Sequence, residues 1–259
     1  MSFPCPVSPS EVFMMLRTLL LCTLALWLPA SGALAGVVRL VATEYPPYYG
    51  ASLPEQGLLV ALTKAAFRQV GHDVTIEFQP WARALAEAEK GDHDGLIGIW
   101  RASEREKLIA YSAEALAENE IGFVGLKGRA ISYASLDNLK PHTIGSVRGY
   151  SMPAVITQAG LTIELANDDL SNLKKLLAGR IDLALIDRGQ ADHLIAGQFS
   201  ESRNLFAWIE PAVSRLPMFN GFSRARPGYE RTVADFDRGF EKLRNSGELA
   251  AIRQKFGFR

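Results

Sequence analysis

From Val37 onward, short β-rich runs alternate with amphipathic helical runs, and the alternation occurs in two successive series. VVRLVA reads as a strand, and GLLVALTKAAFRQVG (57–71) as a helix with apolar residues at helical spacing. HDVTIEFQP follows as an alternating strand, WARALAEAEKG as an amphipathic helix closed by Gly91, and DGLIGIW as a buried strand. Strands separated by helices need crossover connections, so the pattern predicts an α/β fold with a mostly parallel sheet. After EIGFVGLKG (120–128) the order returns. HTIGSV reads as a strand, YSMPAVITQAG as a helix, LTIELA as a strand, DLSNLKKLLAGR as a helix and IDLALID as a strand. Two such units predict two lobes. The C-terminal stretch containing DFDRGFEKLRNSGELAAIRQKFG is helical again and meets no third sheet, so it is expected to return and pack on the first lobe.

Directly after the first strand comes TEYPPYYG (43–50), with three tyrosines and two prolines. The prolines fix the path of the loop, and each tyrosine offers a flat apolar face with a polar tip. Two readings stand at this point: a packed aromatic turn, or one wall of a cleft that grips something small.

The first segment belongs to neither series. Arg17 precedes the apolar run Leu19 to Leu28, which is followed by Pro29 and by Ala33-Leu34-Ala35, the arrangement of a cleavable secretory signal over residues 1–35. The run is well short of the roughly twenty residues that a membrane-spanning helix needs. The polar, proline-bearing start MSFPCPVSPSEVF points to Met14 or Met15 as the initiator. Cys5 and Cys22 both precede the expected cut, so the exported chain carries no thiol for a disulfide, a metal or a nucleophile. Cys22 follows Leu19-Leu20-Leu21, without the small residues of a lipoprotein signal. The expectation is a soluble periplasmic monomer that does not insert into the membrane.

Several chemistries are excluded by pattern. Lysine plus arginine number 28 against 28 acids, and the two signs are interspersed, which gives no basis for nucleic-acid binding. His72, His93, His142 and His193 stand apart from one another and form no metal-ligand spacing. The stretch 91–95, GDHDG, has the start of a calcium loop but lacks its remaining ligands. Neither a phosphate-binding glycine loop nor a nucleophile elbow occurs. No cofactor is expected.

Five stretches, in order, carry a resemblance: TEYPPYYG after the first strand; WARAL leading to KGDHDGLIG; SEREK with YSAEAL downstream; SLDNLKPHTIGSVRGYS; and LKKLLAGRIDLALID. Together they resemble the extracytoplasmic solute-binding proteins of polar amino-acid ABC importers, the bacterial solute-binding protein family 3. The resemblance implies a two-lobed periplasmic-binding-protein fold with two crossing hinge strands that closes over a ligand. Carried onto this chain, it places lobe 1 at 36–118 plus 215–259 and lobe 2 at 119–214, with crossings near 117–120 and 214–220.

The same resemblance nominates ligand-binding residues. Arg105 matches an arginine that grips a ligand carboxylate, a task suited to the two parallel donors of a guanidinium; by itself it reads sooner as a solvated charge on the first turn of a helix. The interval from Asp94 to Arg105 is one residue shorter than the family's commonest. Asp187, at the end of IDLALID, matches the acid that receives an α-ammonium, or is simply the cap of the next helix. Tyr150, Ser151 and Met152 follow Gly149 between a strand and a helix, where amide N–H groups and the helix dipole would hold a carboxylate. Tyr150 departs from the family's usual threonine. Trp81 matches an aromatic that stacks on the ligand opposite Tyr45 or Tyr48. Gly98, Ile99 and Trp100 end the strand that leads to this site. Arg83 and Arg101 are expected either in the cleft or as surface charges. Glu44 is the candidate for a second acid opposite Asp187.

The function implied is capture of an amino acid or similar small zwitterion for an inner-membrane ABC permease, without catalysis. Two other classes remain: an enzyme of the cyclohexadienyl dehydratase kind on the same fold, and a ligand-sensing partner of a membrane receptor.

Overall fold

A computed structural model describes residues 36–258, so the expected leader lies outside the described residues. The first series forms β1 (Val37–Ala42), α1 (Leu58–Arg68), β2 (Asp73–Phe78), α2 (Trp81–Lys90), β3 (Gly95–Trp100) and the short β4 (Ile109–Tyr111). The second forms β5 (Ala117–Leu126), β6 (Thr143–Val147), α3 (Ala154–Gln158), β7 (Thr162–Ala166), α4 (Asp169–Leu177), β8 (Leu183–Asp187) and α5 (Arg188–Gln198). A long strand β9 (Phe206–Ser223) and the helices α6 (Tyr229–Ser246) and α7 (Glu248–Lys255) complete the chain.

The strands run in the order β2-β1-β3-β9-β5-β8-β6-β7, with β4 on β9. Within each series the pairs are parallel: β1 with β2 and β3, and β6 with β7 and β8. Helical crossovers require this. The link between the halves is antiparallel. β9 pairs with β3 at its C-terminal end, while β5 pairs with β8 and, from Ala117↔Met218 to Leu126↔Phe206, with β9. The register of β5 on β9 shifts between Ile121 and Phe123. Two lobes therefore share one curled, mixed sheet rather than holding separate ones. β9 runs much further than a crossing near 214–220 alone, because Phe206 and Ile209 are buried in the second half and Met218 and Phe222 in the first.

Each half is a three-layer sandwich. In β1, Leu40 and Ala42 face the cluster shared with α1 and α6, and Val41 faces the cluster under α2. In β8, Leu183 and Leu185 alternate in the same way with Ala184 and Ile186. This is the period of two that lets a strand feed two cores. β3 departs from it at Gly98, where φ is +74° and the register against β9 slips between Ile97 and Ile99. The bulge sends Ile97 to one core and Ile99 to the other. The returning C-terminal helix docks closely: a Cβ on Gly239 of α6 would stand 2.0 Å from the carbonyl oxygen of Ala66 in α1.

Candidate functional site

The tyrosines of TEYPPYYG turn inward. Tyr45, Tyr48 and Tyr49 are all buried, with Tyr45 stacked on Tyr48 at 5.8 Å and on Tyr49 at 5.6 Å. Across from them stands Tyr150, from the loop after β6, whose ring meets Tyr45, Trp81 and Trp100 edge-on at 6.2, 6.0 and 5.4 Å. These aromatics, with Thr43, Gly98, Arg105 and Ser151, line a cavity between the first series and the loop following β6. It leaves about 10 Å³ for the centre of a water-sized sphere, room for roughly one water.

One carbonyl draws the two sides together. Gly149 O accepts from Arg105 Nη2 at 2.6 Å and from Trp81 Nε1 at 2.9 Å. Arg105 is buried, and burial lowers its pKa from the ordinary arginine value. Beside it, Ser151 Oγ donates to Glu104 Oε1 at 2.7 Å, which holds the Glu104 carboxyl below its usual value. A ligand carboxylate at Arg105 would take the place of the Gly149 oxygen.

A carboxyl pair lies deeper. Asp187, 1% exposed, accepts from the backbone N–H of Glu120 and of Gln190, each at 2.9 Å, the second bond capping α5. Burial pushes its pKa up to about 6. Asp169, in the first turn of α4, accepts on Oδ2 from Tyr150 Oη at 3.0 Å and from Gln190 Nε2 at 2.9 Å. Burial, with the charges of Asp187 and Asp168 adding, pushes it up to about 7. Gln190 thus touches both carboxyls, through its main chain and its side chain. Trp100 Nε1 donates to the buried Asn119 at 2.7 Å, and Trp100, Tyr150, Met152 and Asp187 line a second recess of similar size.

The pattern of the bacterial extracellular solute-binding proteins, family 3, matches residues 38–259. The chain belongs to this family. Among solved structures it is similar to a histidine kinase sensor domain with similarity to periplasmic binding proteins (20% identity, TM-score 0.73, covering 85% of this chain and 95% of that one). It is also similar to an ancestral arginine-binding protein bound to arginine (21% identity, TM-score 0.71, 85% and 98% covered). A third is the substrate-binding protein of an amino-acid ABC transporter (16% identity, TM-score 0.72, 85% and 99% covered). No functionally curated protein matches this chain. At these identities the structures speak for the fold.

In this solute-binding protein several expected contacts fall elsewhere. Arg83 is 69% exposed and pairs with Glu87 along α2, because it stands one position before the inward-facing Ala84. Arg101 lies outside the cavity, with its guanidinium over the rings of Tyr111 and Phe219 at 5.2 and 4.9 Å. Glu44 is exposed and accepts from the Ala51 N–H at 3.1 Å, closing its own loop. Ile99 is turned into the α2 core by the bulge at Gly98, while Gly98 itself lines the cavity. Helix α3 begins only at Ala154 and spans five residues, too short to lend the 149–152 loop much dipole. Tyr45, Trp81, Trp100, Arg105, Tyr150 and Ser151 do meet around the cavity. Tyr48 backs Asp187 instead, its hydroxyl lying close to Gly189. Sequence reasoning passed over Tyr49, Asn119, Asp169 and Gln190. The third tyrosine of the loop was a signal in plain view; Asp169 stands at the head of the DLSNLKKLLAGR helix, where nothing in the sequence marks it as buried.

Proposed function

We propose that this solute-binding protein captures an amino acid or a similar small zwitterion between its lobes in the periplasm and presents it to an inner-membrane ABC permease. The observation that carries this is a pair of recesses that share the aromatic walls Trp100 and Tyr150, one bounded by the buried cation of Arg105 and the other by the buried acid of Asp187. That polarity suits a ligand with a carboxylate and an ammonium. Tyr45, Trp81, Trp100 and Tyr150 supply the walls, and Ser151 and Met152 the floor. With room for about one water, entry requires the lobes to part. We place the lobes at 36–118 with 215–259 and at 119–214, turning about the β5–β9 pairing, with residues 1–35 as the cleaved leader.

The test is thermal melting of residues 36–259 against amino acids, dicarboxylates and polyamines, followed by small-angle scattering. A ligand binding the folded state raises the melting temperature, by mass action. The expected result is a rise with at least one α-amino acid and a more compact particle at saturation. No rise with any α-amino acid, or an unchanged radius of gyration, defeats the reading.

A sensing role is favoured by one observation, the similarity to a histidine kinase sensor domain. Stimulation of ATP hydrolysis by a neighbouring permease in proteoliposomes supports import; ligand binding without stimulation supports sensing. The dehydratase alternative looked to Glu44 as a second acid opposite Asp187; Glu44 accepts from the Ala51 N–H, and the acid that stands near Asp187 is Asp169, so turnover of a prephenate-like acid is the assay that decides it.

A further inference from the structure

Asp169 is 2% exposed and Gln190 is 3% exposed, yet Asp169 Oδ1 and Gln190 Oε1 meet no donor from the described residues. Their partner atoms are fully committed to each other: Gln190 Nε2 donates to Asp169 Oδ2, which also takes the Tyr150 hydroxyl. Two acceptors on hydrogen-bonded neighbours therefore remain without a donor, one of them a carboxylate oxygen. Buried acceptors without donors are costly, and a positively charged nitrogen with several N–H bonds is a group that can relieve both and also answers the charge of the carboxylate. The surroundings suit a cation. Tyr150 lies between Asp169 and the cavity, and the buried phenols of Tyr45 and Tyr49 stand near enough for the charge of Asp169 to raise both. The other acids facing Asp169 are Asp187 and Asp168, and no lysine or arginine among the described residues bonds to it.

We propose that Asp169 Oδ1 and Gln190 Oε1 form a second cation-accepting pole, beside Asp187, for the distal ammonium or guanidinium of a ligand with a basic side chain. This rests on the binding-protein reading and sharpens it: one acid receives the α-ammonium, and the other receives the side-chain cation. Near neutral pH the ligand's cation takes the place of a proton held by Asp169, and that proton leaves to solvent.

Titration calorimetry with lysine and with norleucine, its equivalent lacking the side-chain amine, tests the assignment on the native protein and on Asp169→Asn. Native protein should prefer lysine by about tenfold or more, and Asp169→Asn should lose most of that preference while keeping norleucine within about threefold. In two buffers of different ionisation enthalpy at pH 6, lysine should release about one proton more than norleucine. Equal affinities for the two ligands in native protein, or equal losses in the variant, overturn the second pole and leave the capture of a zwitterion standing. Failure of both to bind overturns the second pole, and the capture of a zwitterion falls with it only if no other α-amino acid raises the melting temperature. Should Asp169→Asn not fold, native preference and proton count decide alone.

Discussion

Arg105 lines one recess and Asp187 the other, and they differ in what else depends on them. Asp187 caps α5 and also satisfies the Glu120 N–H, so its replacement mixes loss of ligand with loss of structure. Arg105 is simpler. Its carbonyl partner, Gly149 O, keeps the Trp81 N–H when the guanidinium is removed, so Arg105→Ala orphans no acceptor. Loss of a desolvated, charge-assisted contact should weaken amino-acid binding by about 2–5 kcal/mol with the fold intact. Calorimetry beside circular-dichroism melting checks it, and near-native affinity in a folded Arg105→Ala would remove the residue from the site. At this scale the sequence was partly legible. A guanidinium after a buried strand could be singled out, but whether Arg83, Arg101 or Arg105 pointed inward depended on one-residue steps around a helix and on aromatic rings, Tyr111 and Phe219, brought together only by the fold.

Among the elements, the helix pair α1–α6 shows how the C-terminal segment is tied to the first series. Gly239 lets α6 approach Ala66 backbone to backbone, and a methyl group at 2.0 Å from that oxygen must push the helices apart. Gly239→Ala should destabilise the protein by about 1–3 kcal/mol, the usual cost of overpacking, despite the better helix propensity of alanine. Urea unfolding should show the drop, and an unchanged midpoint would mean that the helices slide without cost. Most elements were readable because each presents a plain pattern, a period of two in HDVTIEFQP and of 3.6 in WARALAEAEKG. β9 was not. Its prolines, Pro211 and Pro217, and its mixed polarity disguise a strand that changes from one core to another along its length. Gly98 likewise hides a bulge inside what reads as an unbroken apolar run.

For the whole molecule, the buried carboxyl pair contributes a dependence of stability on pH. Asp169 at about 7 and Asp187 at about 6 both lie above the ordinary 3.8, so the folded protein binds more protons than the unfolded chain between these values. Stability contributed by this pair is full below about pH 4 and is lost as pH rises through 6 and 7. Without added ligand, the melting temperature should therefore fall between pH 5 and about 7.5, and Asp169→Asn should flatten that slope. A slope unchanged in Asp169→Asn would move its origin elsewhere. Binding of a basic ligand should run the opposite way, strengthening as pH rises, because the carboxylates must ionise to receive it. Neither Asp169 nor its burial could be read from the chain, since tyrosines from residues 45–49 and from 150 enclose it only when both series are assembled. The bond from Arg105 to Gly149 has a bearing on selectivity. Any ligand that takes the guanidinium is weighed against a peptide oxygen the protein itself supplies. An amide-terminated analogue merely swaps one neutral oxygen for another and gains nothing by the exchange. A carboxylate would bring charge to a charged donor, so on the proposed reading discrimination between acid and amide would begin at this contact, before the remainder of the molecule is sampled.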